Sequence, residues 1–265
     1  MSRSMGESDR RSMPIAVFDS GLGGVSVLRE LIRLMPEENY LYFGDSANAP
    51  YGIRSVEDVR ALTLQRIGEL YARGIKAAVI ACNTATSAAV KDLRATFPDI
   101  PIIGMEPAVK PAVLAHPKGR VLILATPLTL REEKLGHLLE QYAPLAEIIK
   151  IPCPELVAFV ERGELNSPAL YAYLNERLGA YRGSADAAVL GCTHFPFVRR
   201  AIGSVLGSGT ELFDGGPGTA RETRRRLMQH RTRTDQRGQG SVRIENSCDN
   251  PQEITLTRQL LTTDY

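Results

Sequence analysis

The chain lacks most of the signatures that mark metal, nucleotide or redox enzymes. Its four cysteines stand at 82, 153, 192 and 248 with no Cys-x-x-Cys pair, which argues against a zinc ribbon and a thioredoxin-type motif. No Gly-x-x-x-x-Gly-Lys-[Ser/Thr] occurs, so a Walker-type phosphate loop is absent. The stretch SGLGG (20–24) breaks the dinucleotide-binding spacing, because Ser26 stands where the third glycine belongs. Nothing marks a Schiff-base lysine for pyridoxal. No apolar run approaches the ~18 residues of a membrane span. Residues 1–12 (MSRSMGESDRRS) are polar and have no apolar segment behind them, unlike a signal peptide. Lys plus Arg is 32 and Asp plus Glu is 30, a net +2 that argues against a bulk electrostatic nucleic-acid binder. The run RETRRR (221–226) reads as a solvated helix face, because no aromatics interleave it. The expectation is a protein with no metal, no cofactor, no nucleic acid and no membrane partner, in a reducing cytoplasm where free thiols persist.

What is present is 43% apolar sequence over 265 residues, arranged as short strand-like runs alternating with helical ones. Strands are expected at 14–19, 40–43 and 77–81, then at 120–125, 147–151 and 187–190, with a last one at 242–245. Helices are expected at 26–35, from Ser55 to Gly74, from Thr84, at 130–142, 155–162, 168–181, from Pro196, at 218–230 and at 252–261. Ser55-x-x-Asp58 has the form of a capping box, and Ser167-Pro168 that of an N-cap followed by a first-turn proline. Alternating strands and helices imply an α/β fold with mainly parallel sheets flanked by helices. Residues 1–12 read as a disordered start, 13–106 with 212–265 as a first lobe, and 107–211 as a second.

The division into lobes rests on an internal echo. Residues 77–84 read AAVIACNT and residues 187–194 read AAVLGCTH. Each is an apolar strand that ends in a cysteine, then small polar groups, then a helix start. The separations from Asp19 to Cys82 and from Thr126 to Cys192 are 63 and 66 positions. Two pseudo-symmetric lobes of common plan follow, with an active site in the cleft between them. Ligands of parallel α/β sheets bind beyond the carboxyl ends of the strands, where Asp19, Cys82, Thr126 and Cys192 all lie.

A pair of equivalent thiols suits inversion of a carbon centre. The α-proton must leave from one face while another is delivered to the opposite face, which calls for two acid–base groups. A thiol's reference pKa of ~8.5 lies close to operating pH. At pH 7 that leaves roughly 3% thiolate, and a drop of one unit, about 1.4 kcal/mol, raises it to roughly a quarter. A helix start behind each cysteine favours the thiolate and offers N–H groups to carboxylates. Ser20, Asn83, Thr84 and Thr193 add polar groups suited to an acidic substrate. Cys153 and Cys248 read as small buried hydrophobes, and His116, His137 and His230 as surface residues. The rival readings are a Cys–His hydrolase built on Cys192 and His194, a zinc site from Cys82, Cys192, His194 and Asp19, and a non-catalytic two-lobed binding protein. No ligand-pair spacing supports the zinc site, and neither of the others uses both thiols.

The motifs DSGLGG (19–24), FGDSANAPYG (43–52), ACNTATSAAV (81–90) and LGCTHFPF (190–197) resemble those of bacterial glutamate racemases, within the aspartate/glutamate racemase superfamily. The resemblance runs from about Pro14 to the last helix. It implies that Cys82 and Cys192 are the acid–base pair, the first acting on the D-enantiomer and the second on the L-enantiomer. Asp19 and His194 would tune the thiols, and Glu161 would be a carboxylate near the second cysteine. Asp19, Ser20, Pro50, Tyr51, Gly52, Asn83, Thr84, Thr126, Thr129, Thr193 and His194 would contact the substrate. It further implies a cofactor-independent, homodimeric isomerase that supplies D-glutamate for peptidoglycan, and hence for cell-wall biogenesis and cell shape. Aspartate or another acidic amino acid is the alternative substrate, since one methylene is decided by pocket depth. Two stretches depart from the family pattern. In ATPLTLREEKL (125–135), Leu128, Glu132 and Leu135 replace polar or aromatic residues, and Ser46 and Asn48 stand where Thr and Arg are frequent.

Overall fold

The computed structural model describes residues 7–248 and 250–264. By its internal contacts the chain divides into two compact units. One runs to Met105 and resumes over Gly216–Leu261, and the other holds Glu106–Gly215 and the chain from Thr262. The first opens with α1 (Glu7–Ser12), β1 (Ile15–Asp19), α2 (Val25–Leu34), β2 (Tyr40–Gly44), α3 (Val56–Ala72), β3 (Ala77–Ile80), α4 (Asn83–Thr96) and β4 (Ile102–Gly104). The second follows with α5 (Val109–Ala115), β5 (Arg120–Ala125), α6 (Pro127–Arg131), α7 (Glu133–Tyr142), β6 (Glu147–Pro152), α8 (Leu156–Glu161), α9 (Pro168–Leu178), β7 (Ala187–Leu190), α10 (Arg199–Leu206) and β8 (Glu211–Asp214). The chain then completes the first unit with α11 (Gly216–Gln229), β9 (Val242–Asn246) and α12 (Pro251–Thr262).

Every strand pairing is parallel, in the orders β4-β3-β1-β2-β9 and β6-β5-β7-β8. The second sheet therefore repeats the order of the first four strands, and β9 extends the first sheet alone. Both faces of a parallel sheet are covered, so its central strands carry unbroken apolar runs. β1, β3 and β7 are buried at every position, as is β5 after Arg120. Phe18, Ile80, Tyr51 and Leu93 belong to the core of the first unit, and Val121, Ile123, Val189 and Leu139 to that of the second. Each fully buried aliphatic side chain contributes about 1.5–3 kcal/mol. Ser55 and Ser167 cap as their patterns predict, accepting the amides of Asp58 and Leu170. Among the described residues no helix is long and apolar enough to cross a membrane.

Four expectations require correction. Of the stretch read as disordered, residues 1–6 lie outside the described residues, but Glu7–Ser12 form a helix. Arg11 donates to the Arg231 carbonyl at 3.3 Å and pairs with Asp235, while its own carbonyl accepts from Lys76 Nζ at 2.6 Å. Such tertiary bonds leave no trace in composition. Residues 212–215 belong to the second unit, not the first, because β8 pairs with β7, and the chain from Thr262 also groups with the second. The helix expected over 130–142 is broken at Glu132, whose backbone is extended at φ −61°, ψ 129°. Finally, the segment behind Cys192 opens as a 3₁₀ turn over Phe195–Val198, and α10 begins only at Arg199.

The glycines after β1 serve close approach. A Cβ on Gly24, at the start of α2, would sit 2.6 Å from Asp19 Cβ and 3.1 Å from Ala81 Cβ. Gly24→Ala should therefore destabilise the protein by about 1–3 kcal/mol through overpacking. In α7, a Cβ on Gly136 would meet nothing within 4 Å, so Gly136→Ala should stabilise by about 0.4–1 kcal/mol through helix propensity and reduced unfolded-state entropy. Thermal unfolding of the two variants checks this, and equal midpoints would contradict it.

Candidate active site

In the first sheet, β2 and β3 flank β1 on opposite sides, so the connections reverse direction at β1. Such a switch point opens a crevice at the carboxyl ends of the strands. β1 ends at Asp19, and Cys82, two residues past the end of β3, is the N-cap of α4. Its extended backbone (φ −65°, ψ 121°) turns Sγ back over the helix start, where it accepts the Ala85 amide at 3.4 Å. Ser20 Oγ lies 3.5 Å from the same sulfur. A sulfur at the positive end of a 14-residue helix is favoured as thiolate. Cys82 is 6% exposed.

Asn83 stands beside it. Its side chain is buried, yet neither the amide oxygen nor the nitrogen has a hydrogen-bond partner. A buried unmet amide costs about 1–3 kcal/mol, a cost usually kept where a ligand meets it. Asp19 is wholly buried, and its Oδ1 accepts the Gly21 amide at 2.9 Å. Thr84 is also buried. Tyr51 and Gly52 sit on the loop after β2, behind a cis Ala49–Pro50 peptide, with Pro50 exposed. The Tyr51 hydroxyl donates to Asp45 Oδ2 at 2.7 Å, and burial followed by this bond pushes the phenol pKa up, so it stays a donor. Asp45 also receives Asn48 Nδ2 on both oxygens at 3.1 Å and Arg66 Nε at 3.3 Å. The motif reading overlooked Asp45. Its signal was a carboxylate next to a strand end, six residues before a tyrosine.

The second sheet places its residues at the equivalent ends of β5 and β7. Thr126 caps α6, accepting the Thr129 amide at 3.3 Å, and the two buried hydroxyls bond to each other at 3.0 Å. Cys192 Sγ lies 3.7 Å from His194 Nδ1, and His194 Nε2 lies 3.1 Å from Glu161 Oε1. Thr193 Oγ1 is 3.5 Å from the same Nδ1. The i, i+2 pair that need not face each other does so here, and Glu161, at the end of α8, is joined to the sulfur through the ring. Burial opposes charge on His194, but the bonds to Cys192 and Glu161 outweigh it and hold the imidazole pKa well above its ordinary value. With both nitrogens protonated, Nδ1 donates to sulfur and Nε2 to the carboxylate.

The remaining cysteines behave differently. Cys153 is fully buried, and burial raises its pKa to about 12. Cys248 is half-buried rather than a core residue. His137 and His230 are exposed, whereas His116 is half-buried and pairs with Glu211 at 2.9 Å. Among the described residues no group of three or more His, Cys, Asp or Glu side chains could hold a metal ion.

Known proteins share this organisation. Residues 15–223 match the family model described as Asp/Glu/Hydantoin racemase. The glutamate racemase of Clostridium botulinum is 45% identical over 254 residues, covering 96% of this chain and 98% of the relative. The structure of Escherichia coli glutamate racemase in complex with L-glutamate and the activator UDP-MurNAc-Ala matches with a TM-score of 0.84 and 29% identity, covering 94% of this chain and 95% of that one. That of Francisella tularensis glutamate racemase in complex with D-glutamate matches at 0.83 and 25%, covering 96% and 95%. The fold and these likenesses define an amino-acid racemase, an isomerase built on two parallel α/β sheets. The chain belongs to the Asp/Glu/Hydantoin racemase family.

The His194–Glu161 bond has a pH signature. A raised folded-state pKa gives stability that is complete below the unfolded value of ~6.5 and is lost as pH rises through the folded one. Glu161→Gln should lower the His194 pKa, seen in ¹⁵N histidine NMR, and its stability deficit should be larger at pH 6 than at alkaline pH. An unmoved His194 titration would contradict the arrangement.

Proposed function

We propose that the chain interconverts L- and D-glutamate by two-base proton transfer at Cα, with Cys82 and Cys192 as the acid–base pair. The observation that carries this reading is that in each sheet a cysteine stands two residues beyond the end of a fully buried strand, with its sulfur next to polar groups. One has a helix amide and Ser20, the other the His194–Glu161 couple. The reaction requires the two sulfurs to act on opposite faces of one α-carbon. A thiolate takes the proton on one side while the opposite thiol gives one, and the roles exchange in the reverse direction. No redox change occurs: one cysteine starts as thiolate and the other as thiol, the two exchange states in each turnover, and the proton balance closes without a cofactor.

Glutamate is supported by the curated relative at 45% identity over nearly the whole chain. Asn83, with its unmet amide, is the strongest candidate to anchor a substrate carboxylate or ammonium group. Asp19, Ser20, Pro50, Tyr51, Gly52, Thr84, Thr126, Thr129, Thr193 and His194 are proposed as the remaining contacts, with Asp19, His194 and Glu161 assisting the thiols. On this reading the protein is a cytoplasmic homodimer that supplies D-glutamate for peptidoglycan.

Incubation with either enantiomer of glutamate in heavy water should place deuterium at Cα, with racemisation followed by chiral chromatography against a panel that includes aspartate. Activity should survive exhaustive chelation. Cys82→Ser and Cys192→Ser should each lose ~10²-fold or more of turnover, the usual scale of a lost acid–base group. Wild-type rates in either variant would exclude the two-base scheme.

A further inference from the structure

The loop that carries Pro50, Tyr51 and Gly52 is fastened from a second direction, by residues beyond the family match at 15–223. β9 pairs with β2 so that Asn246 stands opposite Gly44. At that point the Ser247 amide donates to the Gly44 carbonyl at 2.8 Å. Ser247 Oγ accepts the Ala47 amide at 3.0 Å, and Asn246 Nδ2 donates to Ser46 Oγ at 2.8 Å. Asn246 Oδ1 in turn accepts the Cys248 amide at 2.8 Å, which fixes the side chain that reaches the loop. β9 itself is tied to the end of α3 by the two-pronged Arg73–Glu245 pair, at 2.7 and 2.8 Å. Space is tight here, since a Cβ on Gly44 would lie 2.5 Å from the Gly21 carbonyl oxygen and 3.1 Å from Asn246 Nδ2.

We propose that Asn246 and Ser247 are positioning residues that hold the 44–52 loop in its substrate-binding conformation through Ser46 and Ala47. This rests on the reading that Tyr51 and Gly52 meet the substrate. Asp45 anchors the inner side of the loop, and the end of β9 anchors its outer side. A loop ordered in the free enzyme need not be ordered at the expense of substrate binding. Cutting the outer anchor lowers the fraction of molecules with a competent loop. Apparent affinity falls by that fraction, while the chemistry of bound substrate is untouched.

The test uses the full-length protein. Ser247→Ala should raise KM for glutamate about threefold to tenfold, with kcat changed less than about twofold, as expected for loss of one ordering hydrogen bond. Ser247→Thr, which keeps the hydroxyl, should restore KM. Amide exchange at Ala47 should quicken in Ser247→Ala and return in Ser247→Thr. Should Ser247→Ala fold poorly, Asn246→Ala offers the same split through Ser46. Unchanged KM and unchanged Ala47 exchange would overturn the proposal, as would a lower melting temperature with both kinetic constants preserved. If wild-type protein does not racemise glutamate, the functional reading fails by itself. Exchange at Ala47 still decides whether the end of β9 holds the loop.

Discussion

The hydrogen bond from the Ala85 amide to Cys82 Sγ ties the reactive sulfur to the fold. It exists because β3 is buried at all four positions and passes without slack into α4. The helix start is thus fixed relative to β1, and with it Ser20 and the buried amide of Asn83. Stability and chemistry share these few residues. The same packing that supports the sheet traps a polar side chain without a partner and aims a sulfur at helix amides.

The two cysteines stand in different surroundings. Behind Cys82 a full α-helix begins at once, and its N–H groups stabilise negative charge on sulfur. Behind Cys192 the chain makes only a 3₁₀ turn, whose amides are fewer and less aligned. There the sulfur faces His194, which is in turn bonded to Glu161. The internal repeat in topology is therefore not a repeat in electrostatics. A helix terminus does not titrate, whereas the His194 imidazole beside Cys192 does.

Strands β1, β3, β5 and β7 were legible because complete burial demands continuous apolar runs, and polar residues begin where each run stops. Ser55 and Ser167 were legible because capping is local chemistry. β4 and β8 escaped notice for the opposite reason. β4 is three residues long, and β8 is an edge strand of mixed burial, so neither has a run to read. The break at Glu132 has no glycine or proline to announce it. The order of Glu7–Ser12 depends on Lys76, Arg231 and Asp235, which are remote in sequence. Within the site, Cys82, Cys192, Ser20, Asn83, Thr84 and Thr193 could be proposed from their types, and the roles of the other motif residues only from the family resemblance. The links from Cys192 through His194 to Glu161, and from Tyr51 to Asp45, required coordinates, because each joins separate elements or turns of the chain.

The departures from the family pattern have physical counterparts. Asp45 is a fully buried carboxylate and needs compensation for its desolvation. Where an arginine is frequent, Asn48 supplies a hydrogen bond to each oxygen, Arg66 brings positive charge from α3, and the Tyr51 hydroxyl completes the shell. Charge and donors are thus divided among three residues, with Arg66 on α3. Ser46 keeps a hydroxyl, which receives Asn246. In the second stretch, Leu128 and Leu135 are buried, and Leu135 belongs to the core of its unit. Those positions contribute apolar packing, and the polar groups at the end of β5 are Thr126 and Thr129, with the Thr126 hydroxyl donating to Thr129 Oγ1. At the end of β3, by contrast, Asn83 buries an amide whose oxygen and nitrogen both lack a hydrogen-bond partner.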